Sequence, residues 1–239
     1  NPEEFWTLSI NFQDEKKNLI TSSISQLDGK KIEKFSFKNK NEINDAITNI
    51  KDKKFNITDI SSKIISRNPS GPFTTSTLQQ VASSRLGFGA SRTMQIAQRL
   101  YQGIEIDGET IGLITYMRTD GTNLSADAVS DFRDFIKNQY GNEYLPEKPL
   151  NYSGKKAKNA QEAHEAIRPT DISRSPDTVK KYLSTDQQKL YNLIWGRALS
   201  SQMETAKFDR NTITITTEDG GTICKSSGSV LKFDGFLKV

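Results

Sequence analysis

The sequence predicts an α+β protein in which a β domain, built from both ends of the chain, is interrupted by an inserted, mainly helical domain. Three observations predict this. Apolar and polar residues alternate with period two near both ends. Apolar residues recur at helical spacing through the middle. Between the first two regions, Asn68-Pro-Ser-Gly-Pro72 is the clearest structure breaker in the chain. The expected division is 1–70 for the first part of the β domain, 71–202 for the helical domain and 203–239 for the second β part.

From Phe5 to Phe12 the chain places Trp6, Leu8, Ile10 and Phe12 on one side and Phe5, Thr7, Ser9 and Asn11 on the other, the pattern of a half-buried strand. Leu19 to Leu27 reads as a second strand and Asp28-Gly29 as a turn. Ile32 to Phe37 alternates again as strand, and Ile43, Ala46, Ile47 and Ile50 then recur at helical spacing. Phe55 to Arg67 returns to strand, with Ile57, Ile60 and Ile64 among hydroxyl residues. After the breaker, Ser76 and Gln79 have capping-box spacing before a stripe of Leu78, Val81, Ala82 and Leu86 that stops at Gly87. Ser91 is placed to cap a second helix with Met94, Ala97 and Leu100 on one face, and Ser125 a third with Val129, Phe132 and Ile136. Tyr140 to Asn159 is loop-like and carries Lys155, Lys156 and Lys158, which read more readily as a solvated run than as a binding patch. Ala160 to Arg168 reads as a helix stopped by Pro169. Pro176 suits a first helical turn, and Thr185 and Gln188 have the spacing to open a helix through Leu190, Leu193, Ile194 and Ala198. Asn211 to Thr217 alternates strictly, Glu218 to Gly221 is a turn, and Thr222 to Val239 reads as further strand.

Composition narrows the class. The 239 residues are 34% hydrophobic and 26% charged, which suits a globular chain with a lean core. No apolar run approaches the ~20 residues that cross a membrane. The opening Asn1-Pro-Glu-Glu lacks both an initiator Met and a basic-then-apolar leader, so the chain is expected to be a piece of a longer protein. One cysteine, Cys224, excludes an internal disulfide and a cysteine-cluster metal site, and suits a reduced, cytoplasmic setting. The net charge of +4 is compatible with a polyanionic partner without demanding one. There is no Gly-x-x-x-x-Gly-Lys-Ser/Thr loop for ATP phosphates and no Asp-x-Asp pair.

The stretch that carries chemistry is Gly112-Leu-Ile-Thr-Tyr-Met-Arg-Thr-Asp-Gly-Thr-Asn123. An apolar run ends at Tyr116 and gives way to Arg118, Thr119 and Asp120, as at the exit of a buried strand. A phenol titrates near ~10, so using it as a nucleophile near neutral pH needs a base, cation or metal beside it. A guanidinium two residues on can hold a phosphate in bidentate fashion and stabilise developing charge. The bland alternative is a packed tyrosine and an Arg118 paired with Asp120 or Asp127. His164 is the only histidine; on a helix it would share a face with Gln161, Glu165 and Arg168, a face suited to phosphate or to another domain, although a lone helical histidine is usually structural. Thr74 to Thr77 mark a helix start, which serves as a cap or as a phosphate seat.

These motifs do not stand alone. Pro72-Phe-Thr-Thr-Ser-Thr-Leu-Gln-Gln80, Leu86-Gly-Phe-Gly89, Thr93-Met94, Ala97-Gln-Arg-Leu-Tyr101, the Tyr116 stretch and Gln161-Glu-Ala-His-Glu-Ala-Ile-Arg-Pro-Thr170 follow one another in an order and spacing that resembles the central region of bacterial type IA DNA topoisomerases. The resemblance is strongest from about Gly71 to Asp171, and Gly121 stands where the family usually has Ser. It implies an arched β domain carrying a mobile helical domain. It implies that Tyr116 attacks DNA and becomes linked to a 5′-phosphate, with Arg118 at the scissile phosphate. The candidate set is therefore Tyr116 and Arg118 for catalysis, and Arg118, Thr119, Asp120, His164 and Arg168 for DNA binding. The implied partners are single-stranded segments of negatively supercoiled DNA and further domains of the same chain, in the cytoplasm at the nucleoid, with no membrane. The Mg²⁺ that the family uses is implied to sit on an acidic cluster elsewhere, since nothing here matches it. The rival reading is a non-catalytic nucleic-acid-binding module in which Tyr116 stacks or packs. A tyrosine recombinase fits less well, because that class surrounds its tyrosine with several Arg and His residues near the end of the chain.

Overall fold

The computed structural model describes residues 3–152 and 165–239. In chain order its elements are β1 (Ser9–Gln13), β2 (Leu19–Leu27), β3 (Lys30–Lys31), α1 (Lys40–Ile50), β4 (Phe55–Arg67), α2 (Thr75–Leu86), α3 (Ala90–Gln102), β5 (Ile104–Ile106), β6 (Glu109–Ile111), α4 (Ala126–Tyr140), α5 (Pro176–Val179), α6 (Thr185–Ser200), β7 (Ala206–Thr217) and β8 (Ile223–Phe233). Single 3-10 turns occur at Asn142–Tyr144, Lys180–Tyr182 and Gly235–Lys238. The protein is thus α+β, with its sheet separate from most of its helices. It divides into two compact units, one of Asn1–Ile65 with Lys207–Lys232 and one of Ser66–Ala206 with Phe233–Val239.

The first unit is a sheet in the order β1-β2-β8-β7-β4, with β3 folded back on β2. Antiparallel pairing of β1 and β2 runs from Ser9 opposite Ser23 to Gln13 opposite Leu19. The β2–β3 hairpin turns at Asp28 and Gly29, both with positive φ (48° and 77°), the geometry of a two-residue turn that favours Asp-Gly. Ile24, Ile215, Cys224 and Ile50 form its core, which Leu8, Ile10, Phe12 and Phe55 extend. Here one strand expectation needs correction. Ile32 to Phe37 leaves the sheet after Lys31, because the Glu33 amide and the Ser36 hydroxyl close a turn at 2.8 Å, and Phe37 instead packs on Ile43 and Ala46 of α1. Ile57, Ile60 and Ile64 lie on β4 as expected but are exposed, since β4 is a sheet edge and only Phe55 reaches the core.

In the second unit α6 is central: Leu190, Tyr191, Ile194, Trp195, Ala198 and Leu199 are all buried. The polar ends of its aromatic rings are satisfied, with Tyr191 Oη donating to the Arg174 carbonyl at 2.7 Å and Trp195 Nε1 to the Ile172 carbonyl at 3.0 Å. Helix starts differ in detail from expectation. α2 begins at a Thr74/Thr77 capping box rather than at Ser76, α3 follows Gly89 with no side-chain cap rather than Ser91, and α6 uses Ser184 with Gln187, one residue before the expected pair. Ser125 caps α4 as expected, and Pro176 opens α5. The β5–β6 hairpin was not foreseen, although Asp107-Gly108, with φ of 52° and 90°, is its signature. The strand expected to run on to Val239 ends at Phe233. Beyond it Gly235, at φ 49°, lies against Glu204, where a Cβ would meet that residue's carbonyl oxygen at 2.5 Å, and the Phe236 amide donates to the same carbonyl.

Among the described residues no helix is long and apolar enough to cross a membrane. The turn between β7 and β8 carries a pH-sensitive contact. Asp219 accepts from the Thr217 hydroxyl at 2.6 Å and the Gly221 amide at 2.9 Å, and Lys53 lies 3.1 Å away. These donors, the Thr217 hydroxyl first, hold its carboxyl down to about 2. The stabilisation this gives is complete above the ordinary value of 3.8 and disappears as pH falls through about 2. The difference in thermal midpoint between the parent chain and Asp219→Asn should therefore shrink as pH is lowered across that window, as calorimetry will read.

Candidate active site

The Tyr116 segment is fixed from two sides. After β6, Gly112 passes so close to the end of α3 that a Cβ would lie 2.6 Å from the Tyr101 carbonyl oxygen. The Leu113 amide then donates to the Leu100 carbonyl at 2.8 Å, satisfying one of the acceptors a helix leaves open at its C-terminus. Alongside runs 166–170. Thr170 N–H donates to Leu113, Thr115 N–H donates to Arg168 at 2.9 Å, and Arg168 N–H returns to Thr115 Oγ1 at 3.0 Å. Thr115 Oγ1 donates to the Ala166 carbonyl at 2.7 Å.

The second clamp is Thr75, the first residue of α2. Its amide donates to the Thr119 carbonyl at 2.9 Å, its hydroxyl donates to the Met117 carbonyl at 2.7 Å, and that hydroxyl accepts from the Thr119 amide at 2.8 Å. The backbone bends at Met117 and Arg118 between these clamps. Met117 is fully buried and Thr119 is 8% exposed, whereas Tyr116 is 49% exposed and Arg118 and Asp120 also face outward. Tyr116 and Arg118 are therefore both exposed to solvent, two residues apart on a clamped segment. The Tyr116 ring is steadied edge-on by Tyr101, with centroids 5.3 Å apart and planes at 65°. Arg118 makes no ion pair among the described residues, so the bland pairing with Asp120 or Asp127 is not formed. It borders a cavity of about 540 Å³ against α3.

The remaining candidates fall differently. Glu165 to Pro169 is extended, not helical: the backbone of Ala166, Ile167 and Arg168 bonds to Asn123, Phe73 and Thr115, and the residue before a proline is biased away from helix. Glu165 and Arg168 therefore do not share a helical face. Gln161, His164 and the lysines at 155, 156 and 158 lie outside the described residues. Arg168 is committed within the protein: Nε and Nη2 reach the two Glu165 oxygens at 2.6 and 3.1 Å, and Nη1 donates to the Pro169 carbonyl at 2.9 Å. Burial pushes the Glu165 carboxyl up, but Arg168 and the Ser125 amide outweigh it and hold the carboxyl below the usual range. Thr119 Oγ1 accepts from the Gly121 amide at 3.0 Å and so shapes the turn after the site. The Thr74 and Thr77 hydroxyls are occupied in capping α2. Among the described residues no group of three or more His, Cys, Asp or Glu side chains could hold a metal ion.

The family model described as DNA topoisomerase matches residues 1–239. The chain belongs to the DNA topoisomerase family. It is 48% identical over 237 residues to DNA topoisomerase 1 of Rickettsia prowazekii, covering 99% of this chain and 30% of that protein. It is 44% identical to DNA topoisomerase 1 of Haemophilus influenzae, covering 100% of this chain and 26% of that protein. In fold it is similar to full-length topoisomerase I from Thermotoga maritima, with a TM-score of 0.76 and 34% identity over 99% of this chain and 36% of that one. The chain thus spans about a third or less of the length of these relatives.

Thr115, Tyr101 and Gly112 were given no role of their own by the sequence, and Thr75 was read only as part of a helix start. Only Gly112, a glycine within an apolar run, offered a signal, because a strand glycine often marks a close backbone approach. Replacing Thr75 by Val keeps the shape and removes the hydroxyl, leaving the Thr119 amide without its partner. Unfolding in urea should show a loss of about 1–3 kcal/mol, and Thr75→Ser should recover most of it.

Proposed function

We propose that this chain is the part of a type I DNA topoisomerase that supplies the nucleophile for transient cleavage of one DNA strand. The observation that carries the reading is an exposed tyrosine and, two residues on, an exposed arginine with no ion pair among the described residues, held by a doubly clamped backbone in a member of the DNA topoisomerase family. Tyr116 Oη attacks the scissile phosphorus and loses its proton. The bond from phosphorus to the 3′-oxygen breaks, that oxygen takes up a proton, and the 5′-phosphate remains esterified to Tyr116. One phosphate diester replaces another, so attack by the 3′-hydroxyl reverses the step without ATP. Arg118 holds the phosphate oxygens and stabilises charge as it builds up. While the strand end is held covalently, a second strand passes and negative supercoils relax, with the β unit serving as the arch that lets the helical unit move.

Arg168, locked to Glu165, acts in this scheme by holding the 166–170 strand against Thr115, and Asp120 and His164 remain candidates for DNA contact. The Mg²⁺ of the whole enzyme is assigned to domains outside this chain, and the protein is placed with the chromosome in the cytoplasm. The chain alone is expected not to relax supercoiled plasmid. A second reading, a binding module without chemistry, shares the same surface.

The two separate in the full-length protein incubated with end-labelled single-stranded DNA and denatured with detergent. Tyr116→Phe should abolish covalent adducts while binding persists. Arg118→Lys, which keeps charge but loses the fork, should slow adduct formation ~10²–10³-fold. Adducts that persist in Tyr116→Phe would overturn the assignment.

A further inference from the structure

We propose that the outward face of α3 is a track for single-stranded DNA, holding the nucleotides on the 3′ side of the scissile phosphate. These are the nucleotides that stay joined to Tyr116 after cleavage, so the inference rests on the reading of Tyr116 and Arg118 given above.

α3 has two faces. Thr93, Ile96, Ala97 and Leu100 are buried. Opposite them Ser91, Gln95, Gln98 and Gln102 recur at i, i+4, i+7 and i+11, one stripe of a helix. Arg118 closes over this stripe to make the cavity of about 540 Å³, whose lining also includes Arg99. The track therefore begins at the side chain that meets the scissile phosphate.

Its chemistry suits a nucleotide chain. The side chains of Arg99, Gln95, Gln98 and Gln102 make no hydrogen bond or ion pair with the described residues, although Arg92 on the same helix is paired with Asp186. The unpaired guanidinium is a phosphate ligand in waiting, and the carboxamides offer donors and acceptors to sugars and base edges. Tyr101, 40% exposed beside Tyr116, presents an aromatic ring on which a base can stack. No Asp or Glu occurs between Asp59 and Glu105, in a chain that has 29 of them, so α2 and α3 contribute no negative charge to repel a polyanion. From Ser91 to Gln102 the stripe is ~16 Å long, which spans several nucleotides at ~3.4 Å or more each and not a single phosphate. The polarity follows from the proposed chemistry: if Tyr116 keeps the 5′-phosphate, the strand leaving that phosphate toward its 3′ end must be accommodated by the unit carrying Tyr116.

A track of this kind gives the broken end a second, non-covalent hold and fixes its direction for religation. The test is fluorescence anisotropy of the 239-residue chain with a 5′-phosphorylated oligothymidylate of about six residues labelled at its 3′ end, across a salt series. Arg99→Ala should weaken binding ~5–10-fold and lower the salt slope by ~0.7. A Gln95→Ala/Gln98→Ala double variant should weaken it several-fold with the slope unchanged. Arg92→Ala, which removes a paired charge from the same helix, should have little effect, and thymidine 5′-monophosphate as competitor should be insensitive to Arg99. If Arg99→Ala behaves like Arg92→Ala while Arg118→Ala still weakens binding, the track is wrong and the Tyr116–Arg118 reading survives. If Arg118→Ala is also without effect, both fail together.

Discussion

The site depends on a constraint placed on backbone, not on side chains. A tyrosine that is to meet phosphorus from solvent cannot be buried, yet an exposed side chain on a free loop would have no fixed aim. The protein meets both demands by clamping the backbone on either side of Tyr116. Leu113 and Thr115 are tied to the end of α3 and to 166–170, and Met117 and Thr119 are tied to Thr75. Buried Leu113, Ile114 and Met117 anchor the segment in the core of the helical unit. With Met117 and Thr119 turned inward, Tyr116 and Arg118 are left exposed.

Two arginines show how surroundings divide labour between chemically identical groups. Arg168 sits largely covered and spends its fork on Glu165 and a carbonyl, where loss of the carboxylate would strand a cation. Arg118 stands exposed with no acidic partner among the described residues and is free to receive a ligand's charge. The first holds a strand in place, and the second faces solvent. In the proposed reaction such a guanidinium would need no acid released before it met a phosphate.

Local patterns were legible wherever one period dominated. The strands at Leu19–Leu27 and Phe55–Arg67, the helices led by Ser125 and Pro176, and the placing of Tyr116 and Arg118 together at the exit of an apolar run all follow from spacing. Legibility failed where long-range contacts set the outcome. The helix expected over Ala160 to Arg168 fails at its described end, where the backbone groups of Ala166, Ile167 and Arg168 are claimed by Asn123, Phe73 and Thr115, which lie far away in sequence. Ile32 to Phe37 alternates like a strand but is drawn off the sheet by a Glu33–Ser36 turn and by the pocket Phe37 fills on α1. The threonine clamps were invisible because a single hydroxyl bridging two distant backbone groups leaves no periodic trace. The cap positions missed by one or two residues reflect runs such as Thr74 to Thr77 and Ser184-Thr185, where neighbouring hydroxyls compete for the same role.

Native-state hydrogen exchange, read residue by residue on this chain, tests the clamp most directly. The account predicts that the amides of Leu113, Thr115 and Thr119 exchange with the slow core of the helical unit, and that Thr75→Val speeds Thr119 selectively. Exchange of these three amides as fast as those of the exposed Glu147 and Lys148 loop would contradict it, because Tyr116 and Arg118 would then have no fixed backbone to aim them.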